Sequence, residues 1–193
     1  MTALPMAVTD ELLAARAQRG ERAAFDDLVG RHQAMVYHLA LRFCGEREAA
    51  RELAQEAFVR AWRHLGGYDS SRPFKAWLYR VATNTCLSAA AVRRPTVSGE
   101  LEVEPASGPL SDPARLTEGR MLAEAVHRAL LDLPPAYRAA MLLRHVEGLD
   151  YRDIAEALGQ PLGTVKTHLH RARELLRVRL GALLEAGERH DLP

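Results

Sequence analysis

Helical periodicity runs through almost the whole sequence and stops in one central stretch. Apolar residues recur at intervals of three and four in both halves, whereas alternating, strand-like patterns are nearly absent. From Arg94 to Pro113 the chain is instead rich in Pro, Gly, Ser and Glu and has no period, which is typical of a linker. A length of 193 residues allows two small domains. We therefore expect an all-α fold, with two small helical domains joined by a flexible linker.

The loss of helical periodicity separates two domains, and capping residues mark where their helices begin and end. The first domain is predicted over residues 10–94, the linker over 95–115 and the second domain over 116–184. Asp10 is placed to cap the first helix, and Gly45 is placed to end the second, as a glycine just after a helix commonly does.

Residues 150–176 predict a helix-turn-helix. Asp150 is placed to cap a short helix, Gly159 breaks that helix, and a longer basic helix follows. Five apolar residues are spaced so that the two helices share one seam: Ile154, Ala155, Leu158, Val165 and Leu169. The outer face of the longer helix offers hydrogen-bond donors to phosphates and base edges through Lys166, Thr167, His168, His170 and Arg171. The same pattern also fits a solvated basic face on an ordinary bundle helix.

Basic residues are concentrated on both sides of an acidic stretch. Residues 70–94 contain five basic residues and no acid: Arg72, Lys75, Arg80, Arg93 and Arg94. Residues 161–180 contain five basic residues and one acid, whereas residues 95–114 contain four acids and no base. This distribution fits a polyanion-binding protein better than the net charge of +1 suggests.

Aromatic residues are interleaved with the first basic segment, an arrangement that proteins use to hold unstacked single-stranded bases. Phe74, Trp77 and Tyr79 lie on its predicted helix, and Tyr68 lies on the polar loop before it. The spacing of Phe74, Trp77 and Val81 fits packing in a core, so we expect Trp77 to be packed. Tyr68 is the aromatic residue that we expect to be available to a base.

Catalytic, metal and membrane functions find no support in the sequence. Cys44 and Cys86 lie far apart without a CxxC motif, and we expect them to be buried thiols in a reducing cytosol. His168 and His170 are two residues apart on a helix and so point to different faces, which argues against a shared metal ion. We predict no catalytic residue and no cofactor. The sequence lacks a signal peptide and a membrane-length apolar run, and we expect a cytoplasmic protein.

Several motifs, in order along the chain, resemble those of the extracytoplasmic-function (ECF) subfamily of RNA polymerase sigma factors. In the first half, ELAQEAFVRAW at 52–62 is similar to the DLxQExFxRxW stretch of region 2, and FKAWLYRVATN at 74–84 is similar to the FxxWLYRIAxN that follows it. In the second half, LPPAYR at 133–138, VEGL at 146–149 and GTVKTHLHRAR at 163–173 resemble region 4.

The resemblance implies a promoter-specificity subunit without an active site of its own. Docking on the clamp helices of the polymerase β′ subunit would use Leu53, Gln55, Glu56 and Phe58. Capture of the melted −10 element would use Tyr68 and Asn84, with the basic Lys75 and Arg80. Region 4 would read the −35 duplex through the basic face of the last helix. Further implied partners are the polymerase β flap and an anti-sigma protein.

A conventional helix-turn-helix regulator that binds duplex operators is the alternative reading. The region 2 motifs and the long linker argue against it.

Overall fold

The computed structural model describes residues 8–92 and 113–188, and these ranges fold into α-helices without any strand. The first domain contains α1 (Asp10–Gln18), α2 (Arg22–Cys44), α3 (Arg47–His64), a 3-10 turn (Leu65–Gly67) and α4 (Phe74–Val92). The second contains α5 (Pro113–Leu131), α6 (Pro135–His145), α7 (Tyr151–Leu158) and α8 (Leu162–Glu188). The predicted all-α class is confirmed. Most of the predicted linker lies outside the described residues. Helix α5 begins at Pro113, within the last three residues of that predicted linker.

The beginning of α1 differs from the prediction by one residue. Thr9, not Asp10, is the N-cap, and its hydroxyl accepts a hydrogen bond from the Leu12 amide at 3.3 Å. The Asp10 carboxylate instead contacts α2, with Arg31 Nη1 at 2.9 Å and His32 Nε2 at 2.7 Å. Burial raises the pKa of Asp10, but these hydrogen bonds outweigh burial and hold that pKa below its usual range. The residue predicted to be the cap therefore joins α1 to α2.

The other helix-terminating residues act as the sequence predicts. Gly45 ends α2 with φ +78° and Gly159 ends α7 with φ +62°, a left-handed conformation that glycine adopts without steric cost. The Asp150 carboxylate accepts hydrogen bonds from the Arg152 and Asp153 amides, each at 2.8 Å, and so caps α7.

Each domain has its own core, and the two cores are continuous. The largest fully buried side chains of the first domain include Leu13, Leu28, Leu39, Phe74 and Leu78. Those of the second include Leu133, Leu142, Leu143, Ile154 and Leu169. All belong to one contiguous cluster of buried residues. The two domains therefore pack against each other.

Arg138, near the start of α6, lies where the domains meet. Its guanidinium donates to the carbonyls of Leu130 (3.0 Å) and Leu131 at the end of α5 and of Leu133 (3.1 Å) just after it. It also donates to the carbonyl of Phe43, near the end of α2, and stacks 5.1 Å from the centre of the Phe43 ring. One side chain thus satisfies the free carbonyls of helix ends in both domains.

Candidate nucleic-acid interface

The α7–α8 pair has the geometry of a helix-turn-helix. Ile154, Leu158, Val165 and Leu169 of the predicted seam are buried, and Ala155 is half-buried. The left-handed Gly159 between the helices lets the chain reverse within a short turn. The seam holds α8 so that its opposite face points outward.

The outward face of α8 carries four of the five residues predicted for duplex reading: Lys166, Thr167, His170 and Arg171 are exposed. The Thr167 hydroxyl donates to the Gly163 carbonyl at 2.9 Å, and His170 Nε2 lies 3.4 Å from a Glu174 carboxylate oxygen. Arg171 is itself exposed, so phosphates and guanine edges can reach its guanidinium.

His168 differs from the prediction. Its ring is half-buried and lies 4.9 Å from the Tyr137 ring of α6, and Nδ1 is buried without a partner among the described residues. Burial, with the nearby charge of Arg171, lowers the pKa of His168. A neutral, packed imidazole is suited to positioning α8 on α6 rather than to holding a phosphate.

A second basic cluster beside α8 was not predicted. The Tyr151 hydroxyl accepts a hydrogen bond from Arg173 Nη2 at 3.1 Å, and the Arg144 guanidinium lies 5.2 Å from the centre of the Tyr151 ring. The hydrogen bond from Arg173, together with the charges of Arg173, Arg144 and Lys166, lowers the pKa of Tyr151. Because the cluster joins α6, α7 and α8, helical spacing within one segment does not predict it.

The basic helix of the first domain is α4. Lys75 and Arg80 are exposed, and Lys75 Nζ lies 5.6 Å from the centre of the Tyr79 ring. Asn84 is half-exposed, and its backbone carbonyl accepts a hydrogen bond from the Ser88 hydroxyl. The Asn84 side-chain amide therefore lies on a partly open face of the helix.

Tyr68 is not available to a base in this conformation, contrary to the prediction. The residue is 5% exposed, and its hydroxyl donates to the Arg72 carbonyl. Its ring packs 5.4 Å from the Phe74 ring and 5.3 Å from that of Trp77. Burial raises the pKa of Tyr68 to about 12. The loop folds back on α4, so a residue outside the helix joins the core.

An apolar groove lies between α2 and α3. Its lining residues are Phe25, Val29, Gln55, Phe58, Val59, Trp62 and Arg63. Gln55 and Phe58 of the predicted polymerase contacts belong to this lining, whereas Leu53 and Glu56 do not. Val59 and Trp62 leave more than a third of their surface in solvent. Exposed apolar surface of this kind is typical of a protein-binding site.

The described part of the chain contains no group of His, Cys, Asp and Glu that could hold a metal ion. Among the same residues, no helix is both long and apolar enough to cross a bilayer.

Comparisons with known proteins agree with this geometry. The family models "Sigma-70 region 2" and "Sigma-70, region 4" match residues 28–95 and 123–176. The RNA polymerase sigma-H factor of Pseudomonas aeruginosa is 38% identical over 91% of this chain and 95% of its own length. The ECF RNA polymerase sigma-E factor of Escherichia coli is 36% identical over 88% of this chain and 93% of its own length.

Solved structures are similar over both domains. CnrH, in complex with the cytosolic domain of CnrY, has a TM-score of 0.63 and 29% identity over 92% of this chain and 97% of that chain. The sigma factor RpoE of Bartonella quintana, in complex with the anti-sigma factor NepR, has a TM-score of 0.60 over 81% of this chain and 96% of that chain. At 21% identity it supports the fold alone.

The fold, the helix-turn-helix and these matches define the class: a sigma-70-type transcription initiation factor. Within that class, the chain belongs to the ECF subfamily. It binds core RNA polymerase and directs promoter-specific initiation by recognising −10 and −35 elements. Sigma factors are initiation factors rather than enzymes.

Proposed function

We propose that the two domains divide promoter recognition between them. Residues 10–94 bind core polymerase and capture the melted −10 strand, residues 116–184 read the −35 duplex, and residues 95–115 connect them. The observation that carries this proposal is that an exposed basic helix face and an apolar groove lie on different domains.

Duplex reading is assigned to α8. In a helix-turn-helix the second helix enters the major groove, where base edges are distinguishable. Lys166, Thr167 and His170 contact the phosphates or bases, and Arg171 is the side chain suited to a guanine. His168, through its contact with Tyr137 at 4.9 Å, positions α8 for these contacts.

Polymerase binding is assigned to the groove between α2 and α3. An apolar groove accepts the apolar face of a partner helix, here one of the β′ clamp helices. Phe58 supplies apolar surface, and Gln55 supplies a polar contact at the rim. Glu56, held by Arg60 at 2.7 Å, and Leu53 belong to the same helix and support that surface. The β flap is assigned to the second domain.

Capture of the −10 strand is assigned to α4. The Asn84 amide can both donate to and accept from a base that has left the stack, and Lys75 and Arg80 neutralise its phosphates. Binding energy then offsets an unstacking cost of a few kcal/mol. Tyr68 supports this helix from behind, packed on Phe74 and Trp77, rather than stacking on the base.

The chain itself performs no bond chemistry in this proposal, because polymerase makes the transcript. It acts in the cytoplasm, where polymerase and promoters are found. We further propose that an anti-sigma protein holds it inactive, because the similar CnrH is found in complex with another protein, the cytosolic domain of CnrY.

Transcription in vitro tests the proposal. The purified chain should join core polymerase in a pull-down and give run-off transcripts from a genomic promoter library. Val59→Asp, in the groove and 37% exposed, should abolish the pull-down, whereas Val178→Asp, 72% exposed on α8, should not. A chain that ignored core polymerase but bound a duplex operator tightly by itself would instead be a conventional regulator.

A further inference from the structure

One side chain of α1 holds the beginning of the loop that joins α3 to α4. We call residues 65–73 the α3–α4 loop; they start with the 3-10 turn and end at Pro73. Gln18 Nε2 donates hydrogen bonds to the Leu65 carbonyl and to the Tyr68 carbonyl, each at 2.8 Å. Because the Gln18 amide nitrogen has two N–H bonds, this one group fixes both the first residue of the 3-10 turn and the residue that follows the turn.

A second side chain of α1 holds the end of the same loop. The backbone amide of Phe74, the first residue of α4, donates to Glu11 Oε1 at 3.1 Å. The first amides of a helix lack partners within the helix, and a carboxylate there is stabilised by the helix dipole. Glu11 and Gln18 lie about two turns apart on one face of α1, so a single helix sets both ends of the loop.

Between these two ends, the exposed part of the loop is ordered by its own hydrogen bonds. The Ser71 amide donates to Asp69 Oδ1 at 2.9 Å, and the Arg72 amide donates to the Asp69 carbonyl at 3.1 Å. The hydrogen bonds from Ser71 lower the pKa of Asp69, and Arg72 Nε lies 3.8 Å from the Asp69 carboxylate. The Tyr68 hydroxyl donates to the Arg72 carbonyl. Residues 69–73 are therefore exposed and yet held in a defined conformation.

The exposed part of the loop lies where a captured strand would pass. It leads directly into the first turn of α4, where Lys75 is assigned to the strand phosphates. The Ser70 hydroxyl, close before Lys75 in the chain, can hydrogen-bond to a phosphate or to a base edge. A loop that was not held beforehand would have to be ordered when the strand binds, and that loss of conformational entropy would lower the affinity.

We propose that Gln18 and Glu11 are positioning residues for strand capture: from α1 they hold the α3–α4 loop and the first turn of α4 in the conformation that receives the melted −10 strand. The inference rests on the proposed assignment of strand capture to α4. It adds that discrimination between bases depends on two side chains of α1 that act through the loop. Losing the Gln18 hydrogen bonds lowers the fraction of chains with a competent loop, and the affinity for the correct strand falls in the same proportion.

Binding of the holoenzyme to a pre-melted promoter tests the two residues. The probe is a promoter duplex that the wild-type chain transcribes in run-off assays, with its −10 region mismatched and each −10 base substituted in turn. The measured quantity is the ratio of the affinities for the original and the substituted −10 bases. An unfolded fraction lowers both affinities equally and leaves this ratio unchanged, so the ratio separates positioning from a loss of folding.

Substitutions at Gln18 and Glu11 each have a matched control. Gln18→Met removes both donors at a similar volume, and Gln33→Met makes the same change at an exposed glutamine of α2. The ratio should fall about fivefold to tenfold in Gln18→Met relative to Gln33→Met. Glu11→Ala should lower it about twofold to threefold, whereas Glu11→Gln, which keeps an acceptor for the Phe74 amide, should recover most of that loss.

Equal ratios in Gln18→Met and Gln33→Met would overturn the inference, and so would a Glu11→Ala ratio equal to that of the wild type. Failure of the proposed function looks different. A wild-type chain that transcribed no promoter, or whose holoenzyme preferred no −10 base, would refute strand capture by the first domain, and the inference with it.

Discussion

The two domains present their proposed DNA-binding residues in different surroundings. In the second domain, Lys166, Thr167, His170 and Arg171 stand exposed on a helix whose other side is fixed in a buried seam. In the first domain, the loop aromatic is buried and α4 is covered on two sides.

The difference follows from the two forms of DNA. A duplex presents a regular groove, so a rigid, preformed helix face can read it without rearrangement. A melted strand presents no such groove, and the residues assigned to it, Lys75, Arg80 and Asn84, lie on the open sides of a helix that is buried along two others.

Of the four substitutions, Arg138→Met should have the largest effect, because Arg138 bonds backbone carbonyls of both domains. The carbonyls of Phe43, Leu131 and Leu133 would lose a charged donor, and the free energy of unfolding should fall by about 3 kcal/mol. Urea unfolding followed by tryptophan fluorescence measures it, since Trp62 and Trp77 are both in the first domain. Arg128→Met, at an exposed position, is the control. An unchanged first-domain transition would show that the domains unfold independently.

Arg171→Ala tests the exposed face of α8 in the second domain. Loss of one contact to a base should weaken −35 recognition by the holoenzyme by about 1–3 kcal/mol. Filter binding to promoter duplexes with a wild-type or substituted −35 element measures the effect. Arg177→Ala removes another exposed positive charge further along α8 and should cost less. Unaltered binding by the Arg171 variant would refute the assignment.

Asn84→Ala tests the proposed strand capture by the first domain. Without the amide, a flipped base loses hydrogen bonds worth about 1 kcal/mol, so open-complex formation should suffer more than closed-complex binding. Permanganate footprinting on duplex and pre-melted promoters separates the two steps. A variant that was defective on duplex yet normal on a pre-melted promoter would contradict base capture, because capture acts on the melted strand.

Thr83→Val should have the smallest effect of the four, and it should stabilise the fold. Replacing a buried, unpartnered hydroxyl by a methyl group should raise the free energy of unfolding by up to about 1 kcal/mol. Thr85→Val is the matched control, since the buried Thr85 hydroxyl donates to the Val81 carbonyl at 2.8 Å and its loss brings no gain. Thermal unfolding of both variants compares them. A loss of stability in Thr83→Val would indicate that the hydroxyl has a partner.

Local signals predicted most of the fold. Gly45, Asp150 and Gly159 end or cap helices because of their own backbone and side-chain chemistry, which operates within a few residues. The seam of α7 and α8 likewise follows from helical spacing. Asp10 was assigned the wrong role, because Thr9 could cap equally well and only the position of α2 decided between them.

The candidate site was predicted less completely than the fold. The exposed positions of Lys166 and Arg171 follow from the seam of their own helix. The burial of Tyr68 and the packing of His168 on Tyr137 depend on neighbours that lie elsewhere in the chain. A periodic pattern reports which side of a helix is apolar, but not which loop or ring will come to rest on it.

The amino-acid sequence by itself determined the helices, the two-domain division and the helix-turn-helix, because these depend on spacing and on capping chemistry close along the chain. Only the tertiary structure decided that Arg138 serves both domains and that α4 is buried along a second stripe. Both result from contacts between residues far apart in sequence, whose partners are chosen by packing and charge in three dimensions rather than by any local period.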